Sequence, residues 1–456
     1  MTGSRRVTLS SAIIGGGLTA WLTLSPALAT WGSAKAGSDY QGTVALEEAF
    51  GDPRLWGVLS LVLALSQTLS GKGNVEYQTG YQGSLMLKKA FSDPSLSPSF
   101  AYFVLAVETP LLDSAAGQEL SLNTGCRAFL GQYNEIDMRE LTLKYSAEHY
   151  SLQFGFQQVA WGETFGVFVA DLVNPKDLRD LLLTDAEWVR RSVAAFNGQL
   201  FFGALRAQAV FTPIPGIDIL PEPNSAFDVI SGRFGLIYER PERFALKRFG
   251  RDVEGGGRVS YLIAEKLDLA AIYYYHWNRN SVFAIQNRTE GTILTPFRKR
   301  IQSFGLTWSY TLDAWVLRGD TVMHLDEPTQ SLGPVPPGSA THLLSVVGAD
   351  YTTSHPWTFG FQLHYDRLGS SNTYWISGRA LFSFFNDHLK PELFIFRGIG
   401  NEDMWIQPKL GYNFLDGLMT LSLRGDLVWG DKDLRNGTMG LLREKSRLLL
   451  WLSATF

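Results

Sequence analysis

The sequence predicts an all-β fold: a transmembrane antiparallel β-barrel of about 18 strands, roughly 16 to 20, with one long loop folded into its lumen. Three observations carry this expectation. Segments of about ten residues with alternating polarity recur along most of the chain, short turns between them alternate with longer connections, and an export signal precedes a chain with no later run of about 18 uninterrupted apolar residues. Alternation places the apolar side chains of a pleated strand on one face. A closed barrel is the one non-helical structure that satisfies every backbone group in lipid.

The N-terminal segment has Arg5 and Arg6, an apolar run from Ala12 to Leu24, and the small-residue site Pro26-Ala27-Leu28-Ala29. It reads as a cleaved signal peptide over 1–29, leaving 30–456 as the barrel. The 456 residues are 45% hydrophobic and 13% aromatic, with a formal net charge of -4 and a single cysteine, Cys126. A near-neutral charge argues against a nucleic-acid partner. One cysteine cannot close a disulfide within the chain.

In the first third, alternating runs lie near 41–50, 55–69, 74–90, 99–110 and 120–130. A short repeat sits there, VALEEAFGDPRL at 44–55 echoed by LMLKKAFSDPSL at 85–96. Strands follow near 140–147 and 150–160. The stretch from Tyr150 to Asp180 then joins two patterns: Leu152, Phe154 and Phe156 alternate with polar residues, after which Asn174-Pro175 and KDLRDLLLTD read as a turn opening a short helix. The inserted loop is expected over 161–198, because folding inward would cover its leucines better than exposure.

Further strands are expected near 199–211, 229–239, 256–265, 267–278, 300–311, 313–325, 341–352, 356–367, 374–386, 389–398, 403–414, 417–430 and 444–456. The longer connections fall at 279–299, 326–340, 368–373 and 431–443. Phe304, Leu306, Trp308 and Tyr310 alternate with Ser303, Gly305, Thr307 and Ser309, and the apolar set would face lipid. Aromatics such as Tyr273, Tyr275, Trp315, Tyr374 and Trp429 lie near strand ends, where interfacial girdles belong. Phe456, in phase with Leu448, Leu450 and Leu452, resembles the terminal assembly signal of outer-membrane barrels.

The opposite faces then line the lumen. They present Lys144, Arg206, Arg258, Arg318, Arg379, Lys409 and Arg424, with Asp320 and Asp426, and so make a net basic wall. The repeated Arg-Gly-Asp at 318–320 and 424–426 puts both charges on one strand face. Such charges can brace the loop, which carries Trp161, Glu163, Asp171, Asn174, Lys176, Asp177, Arg179 and Asp180 as its constriction residues. They can also form an electropositive passage for anionic solutes, because a narrow low-dielectric channel focuses the field of its wall.

No nucleophile elbow, zinc-protease motif, P-loop or cysteine pair occurs, so no enzyme, cofactor or metal is expected. His324, His364 and His388 fall in different hairpins and read as hydrogen-bonded lumen or turn residues. Arg298-Lys299-Arg300 could meet the phosphates of lipopolysaccharide, or be a solvated rim.

The strand end GFQQVAWGE at 155–163, followed by NPKDLR at 174–179, resembles a large family of bacterial outer-membrane proteins with a Gly-Arg-Gln-x-x-x-Trp-Gly strand end and an Asn-Pro-x-Asp-Leu loop. Phe156 stands where Arg is usual. The resemblance implies a barrel encoded beside lipid-type exporters of the RND/MMPL class and beside lipoprotein-receptor-like partners. The expectation is therefore an outer-membrane channel or export component for anionic or amphiphilic, lipid-like molecules. Its partners would be the barrel-assembly machinery, outer-membrane lipids and lipopolysaccharide, an inner-membrane exporter and a periplasmic lipoprotein. The alternatives are a structural or docking barrel of an envelope machine and a lipid-modifying barrel enzyme.

Overall fold

The computed structural model describes residues 80–455 except 91–99, 114–117, 131–134, 168, 183–188, 222–224, 226, 229–236, 239–249, 280–281, 289–290, 331–334, 356, 416 and 432–438. The signal segment, the strands expected near 41–50 and 55–69, the first copy of the repeat and Phe456 lie outside the described residues.

The first seven strands are β1 (Gly80–Ala90), β2 (Phe100–Asp113), β3 (Glu119–Leu130), β4 (Glu135–Ser146), β5 (Tyr150–Gln157), β6 (Val193–Phe202) and β7 (Leu205–Thr212). Then come β8 (Ile237–Tyr238), β9 (Glu254–Ile263), β10 (Leu267–Trp277), β11 (Val282–Arg288), β12 (Gly291–Phe297), β13 (Arg300–Leu312) and β14 (Trp315–Thr329). The last seven are β15 (Gly338–Thr352), β16 (Thr358–Leu368), β17 (Ser371–Leu381), β18 (Leu389–Ile399), β19 (Met404–Phe414), β20 (Met419–Trp429) and β21 (Arg447–Thr455).

Eighteen of them form one antiparallel wall. Each wall strand pairs with the next in the chain, β7 passing to β9 and β10 to β13, and β1 closes the ring on β21. The short β8, β11 and β12 make a separate sheet outside the wall. Closure leaves no sheet edge, as hydrocarbon requires.

The alternation sorts the two faces as expected. Along β10 the exposed Leu269, Tyr273 and Tyr275 interleave with the buried Ala270, Ile272, Tyr274 and His276. In β13, Phe304 and Leu306 are exposed while Ser303 and Thr307 are buried. Leu448 faces out and Leu449 and Trp451 face in. Polar side chains buried on the inside of a barrel and apolar ones exposed on the outside mark a membrane-spanning wall.

Connections at 147–149, 203–204, 264–266, 313–314, 353–357, 382–388 and 415–418 lie at one end of the barrel; the long ones at 158–192, 213–253 and 278–299 lie at the other. Several boundaries differ from expectation, among them β4, which starts at Glu135, and β17, which ends at Leu381; four differences change the course of the chain. The segment 199–211 is two strands, because Gly203 (φ 58) turns the chain within it, so the wall resumes at Val193 and the inserted loop spans 158–192. Of 229–239, only Ile237–Tyr238 is a described strand, and it pairs with β12 in place of the wall. The connection expected at 368–373 is a two-residue turn, with Gly369 at φ 61. Lastly, the residues after Pro175 form no helix as far as 182; Lys176 bridges Arg190 and Asp177 bridges Ile219, so this segment runs extended between the loop's own return leg and the connection 213–253.

The apolar core sits inside the barrel. Val159, Trp161, Val169, Ala170, Leu172 and Val173 of the inserted loop pack against wall residues Val193, Ala195, Val210, Ile272, Tyr274, Val322 and Val346. A second cluster joins Leu182 of the loop and Phe227 to Phe396, Trp405, Val428 and Leu442, the last from a short 3-10 turn at Met439–Lys445.

Candidate functional site

The site is the inserted loop together with the wall that it crosses. The chain leaves the sheet after Gln157, two residues beyond Gly155, whose φ of 127 and approach to the Leu141 carbonyl leave no room for a Cβ. Only glycine adopts that conformation without strain. Beyond it Gln157 turns inward, bonding the Ala195 carbonyl at 3.0 Å, and its side-chain oxygen accepts from Asn197 at 3.0 Å. Asn174 ties the two legs of the loop together: its oxygen accepts from Val159 N (2.7 Å), and its amide donates to the Arg191 and Gln157 carbonyls (2.6 and 3.2 Å). Trp161, buried to 2% exposure, donates its indole N–H to Gln208 at 2.9 Å and sits edge-on to Tyr274. A buried indole N–H requires such a partner.

From Trp161 the loop spans the lumen. On one side Glu163 pairs with Arg258 of β9 at 3.0 Å. On the other, Asp320 of β14 accepts from the backbone N–H groups of Glu163 and Thr164 (both 3.1 Å) and from the Thr164 hydroxyl (2.7 Å). Arg318 donates to the Glu163 carbonyl at 3.1 Å. Next, Phe165 lies under the guanidinium of Arg379, 3.9 Å from its ring centroid, a cation–π contact. Its backbone N–H and C=O meet the Gln362 side chain, once that amide is oriented to suit its partners, at 3.0 and 2.8 Å. Gly360 is needed beside this ring, because a Cβ there would lie 3.0 Å from Phe165 and closer still to Asp350.

Arg318 and Arg379 both reach Asp350 of β15 at 3.1 Å. With Asp320 and the Glu163–Arg258 pair beside them, three guanidiniums face three carboxylates, and Asp350 alone holds two of the guanidiniums, each 26% exposed. Lys409 is also part-exposed at 27%, paired to Glu392 at 3.1 Å, and Lys144 is half-buried beside Gln153 on β5.

The acids of the loop find different partners from those expected. In place of the lumen arginines expected to brace the loop, Asp171 pairs with Arg190 of the loop itself (2.5 Å), and Asp177 with Arg179 (2.6 Å), which also reaches Glu135 of β4. The extended course of the loop brings these residues side by side before the wall is reached. Asp180 meets the wall at Arg447 (2.8 Å), which also bonds Asp426 (2.7 Å), itself paired with Arg424 (3.1 Å). Arg424 donates further to the Leu182 carbonyl. Burial raises the Asp171 carboxyl above its ordinary range against the pull of Arg190, and does the same at Asp218, whose oxygen accepts from Lys176 N.

Arg279 joins the loops. It donates to the Val173 and Gly216 carbonyls (2.9 and 2.6 Å) and pairs with Glu254 at 2.6 Å. Sequence reasoning missed it, along with Asp350, Gln208, Phe165 and Arg190. Strand parity already points Asp350 and Gln208 inward; for the loop residues no sequence signal distinguishes them from solvated ones. Arg298, Lys299 and Arg300 are each held by neighbouring groups. Arg298 donates to the Asn278 carbonyl, Lys299 bonds Ser339 and Asp326, and Arg300 donates to two carbonyls and stacks on Tyr275 and Trp277. His324 and His364 are buried lumen residues bonded to Ser303 and Ser377, and His388, in a turn, bonds the Asn413 carbonyl of β19.

A closed barrel with an apolar exterior, a polar interior and an inserted loop defines the class: this is a transmembrane β-barrel of the bacterial outer-membrane kind. Among solved structures, OccK3 (OpdO) of Pseudomonas aeruginosa matches at 10% identity and a TM-score of 0.52, over 83% of this chain and 96% of that one. OpdK of the same organism, crystallised with vanillate, matches at 10% identity and 0.49 over 83% and 98%. OmpT of Vibrio cholerae, an outer-membrane protein in trimer form, does so at 10% and 0.43 over 83% and 99%. At such identity the likeness to OccK3 speaks for the fold alone. No family model and no curated protein matches the chain.

Proposed function

We propose that the protein is an outer-membrane channel whose inserted loop sets the passage and whose arginines favour anionic or amphiphilic, lipid-like molecules. The observation that carries this reading is the pair Arg318 and Arg379, sharing Asp350 beside the loop while remaining part-exposed to the lumen. Cations held in a narrow low-dielectric passage attract anions along it without bond chemistry. The fold, which it shares with OccK3, supports a channel.

The test is conductance of the purified barrel in a planar bilayer, with the reversal potential read under a salt gradient. Anion preference that falls in an Arg318→Gln, Arg379→Gln double variant is the expected result. A cation-selective pore, or one whose selectivity ignores both arginines, would sink the anionic reading.

One observation favours a second reading, a docking barrel whose lumen stays filled: both apolar clusters lie inside the wall and include loop residues. Absence of conductance in a folded barrel would favour it. The export reading adds an inner-membrane exporter and a periplasmic lipoprotein as partners, and it is supported by the resemblance of 155–163 and 174–179 alone. Co-purification from crosslinked membranes tests that step.

A further inference from the structure

On the short-turn side of the Glu163 crossing, three consecutive wall strands enclose a cavity of about 110 Å³. That is several times the room one water centre requires. Its lining follows from the register. Arg206 stands between Phe201 and Ser260, and Gln208 between Gln199 and Arg258, all on the lumen face of β6, β7 and β9. Two guanidiniums, two amides and a hydroxyl therefore converge, with the Phe201 ring as the apolar part of the wall.

The two cations differ in what holds them. Arg258 gives one N–H to Glu163 at 3.0 Å while its Nε is buried without a partner. Arg206 is exposed and pairs with no carboxylate among the described residues. The carboxylate already on Arg258 belongs to the loop, and it lies at the edge of the cavity. Gln208 is fixed from outside the cavity, accepting from Trp161 and donating to Asn197 at 2.9 Å each, so the pocket floor is set before any ligand arrives.

We propose that this cavity is a binding pocket for a short-chain carboxylate, with Arg206 and Arg258 holding the head group, Phe201 the apolar tail, and Glu163 as the internal carboxylate that the ligand displaces from Arg258. The proposal deepens the channel reading and rests on its solute-accessible lumen. It places the first contact away from the Arg318–Asp350–Arg379 section. An Arg guanidinium bonds a carboxylate through paired N–H groups, so one carboxylate for another is a near-isosteric exchange. The ligand class is amphiphilic because the pocket offers charge at one side and an aromatic face at the other.

The experiment is calorimetric titration of the full-length barrel, folded in detergent, with hexanoate, with its neutral isostere hexanamide and with inorganic phosphate. Folding of every variant is checked by heat-modifiable migration. Hexanoate should bind and hexanamide should not. Arg206→Gln should weaken binding about tenfold, the loss of one charge-assisted contact, while Glu163→Gln should tighten it by several-fold because the competing carboxylate is gone. Should Glu163→Gln fail to fold, the Arg206→Gln result decides. Unchanged affinity in Arg206→Gln, equal binding of hexanamide, weaker binding in Glu163→Gln, or binding of phosphate alone would each overturn the proposal. Calorimetry needs no ion flow, so a barrel that binds hexanoate but does not conduct would remove the channel reading and keep the pocket. One that conducts without binding would do the reverse.

Discussion

Asp320 holds the loop by accepting two backbone N–H groups and one hydroxyl, so its removal strands donors that have little access to water. A buried donor left without an acceptor costs about 1–3 kcal/mol. Asp320→Ala should therefore loosen the loop within an otherwise folded barrel, seen as faster protease cleavage between 161 and 182, with Asp320→Asn intermediate because it keeps one oxygen. Equal cleavage rates for all three proteins would mean that the loop is held elsewhere. Gly360 is a steric counterpart. Gly360→Val should expel Phe165 from beneath Arg379 and produce the same protease sensitivity without removing any hydrogen-bonding group. Asp180 acts on the wall instead. Arg447 has no exposed side-chain area, and breaking a buried pair leaves an uncompensated charge at about 3–5 kcal/mol. Because Asp180 is 21% exposed and Asp426 remains, Asp180→Ala should fall below that range, lowering the temperature at which the folded form converts on a gel. Adding Arg447→Met should recover part of the loss.

At the scale of the element, β5 shows how a strand of eight residues serves two surroundings. Phe154 is 53% exposed on the outer face, and its neighbour Gln153 is half-buried in the lumen, bonded to Thr142 at 3.2 Å. Phe154→Arg should cost roughly 2–4 kcal/mol near the midplane, while Gln153→Lys should be tolerated in the polar interior. Similar folded yields for both in membrane fractions would reject the face assignment. The same comparison fails on β20. Leu421 is exposed, but Ser422 is 2% exposed and opposite Trp451, so an arginine at either position would be excluded, from lipid in one case and from a packed lumen in the other. The inward face of a barrel strand is wet only where no loop covers it.

For the whole molecule, the inserted loop crosses the lumen and supplies much of the core. Deleting 165–190 removes Val169 to Val173 from one apolar cluster, Leu182 from the other and Asp180 from Arg447. The deletion should raise conductance to small anions and lower the unfolding temperature together. A deletion barrel with the parent's conductance would show that the passage runs elsewhere. A partner or solute that moves the loop would have to break the Glu163, Asp320 and Asp180 contacts in concert, since they lie along one continuous segment.

The sequence by itself determined the barrel, its two faces and the presence of a long inserted loop after the strand that begins at Tyr150. These follow from local rules: a pleat repeats every two residues, so Phe304 and Ser303 are assigned to opposite faces wherever the strand lies, and the alternation that starts at Tyr150 lapses before Asn174-Pro175. It also placed Arg318, Asp320, Arg424 and Asp426 on the lumen side. The tertiary structure alone decided who pairs with whom. Arg258, Arg318 and Arg379 come from strands far apart in the chain, and only the curvature of the closed sheet brings them around the segment Glu163 to Phe165. Asp171 turns to Arg190 because the loop doubles back on itself, and Asp177 to Arg179 only two residues on, so in each case the nearest cation is the loop's own. Face is set by backbone period, whereas partnership is set by distances across a lumen that exists only once β1 has met β21.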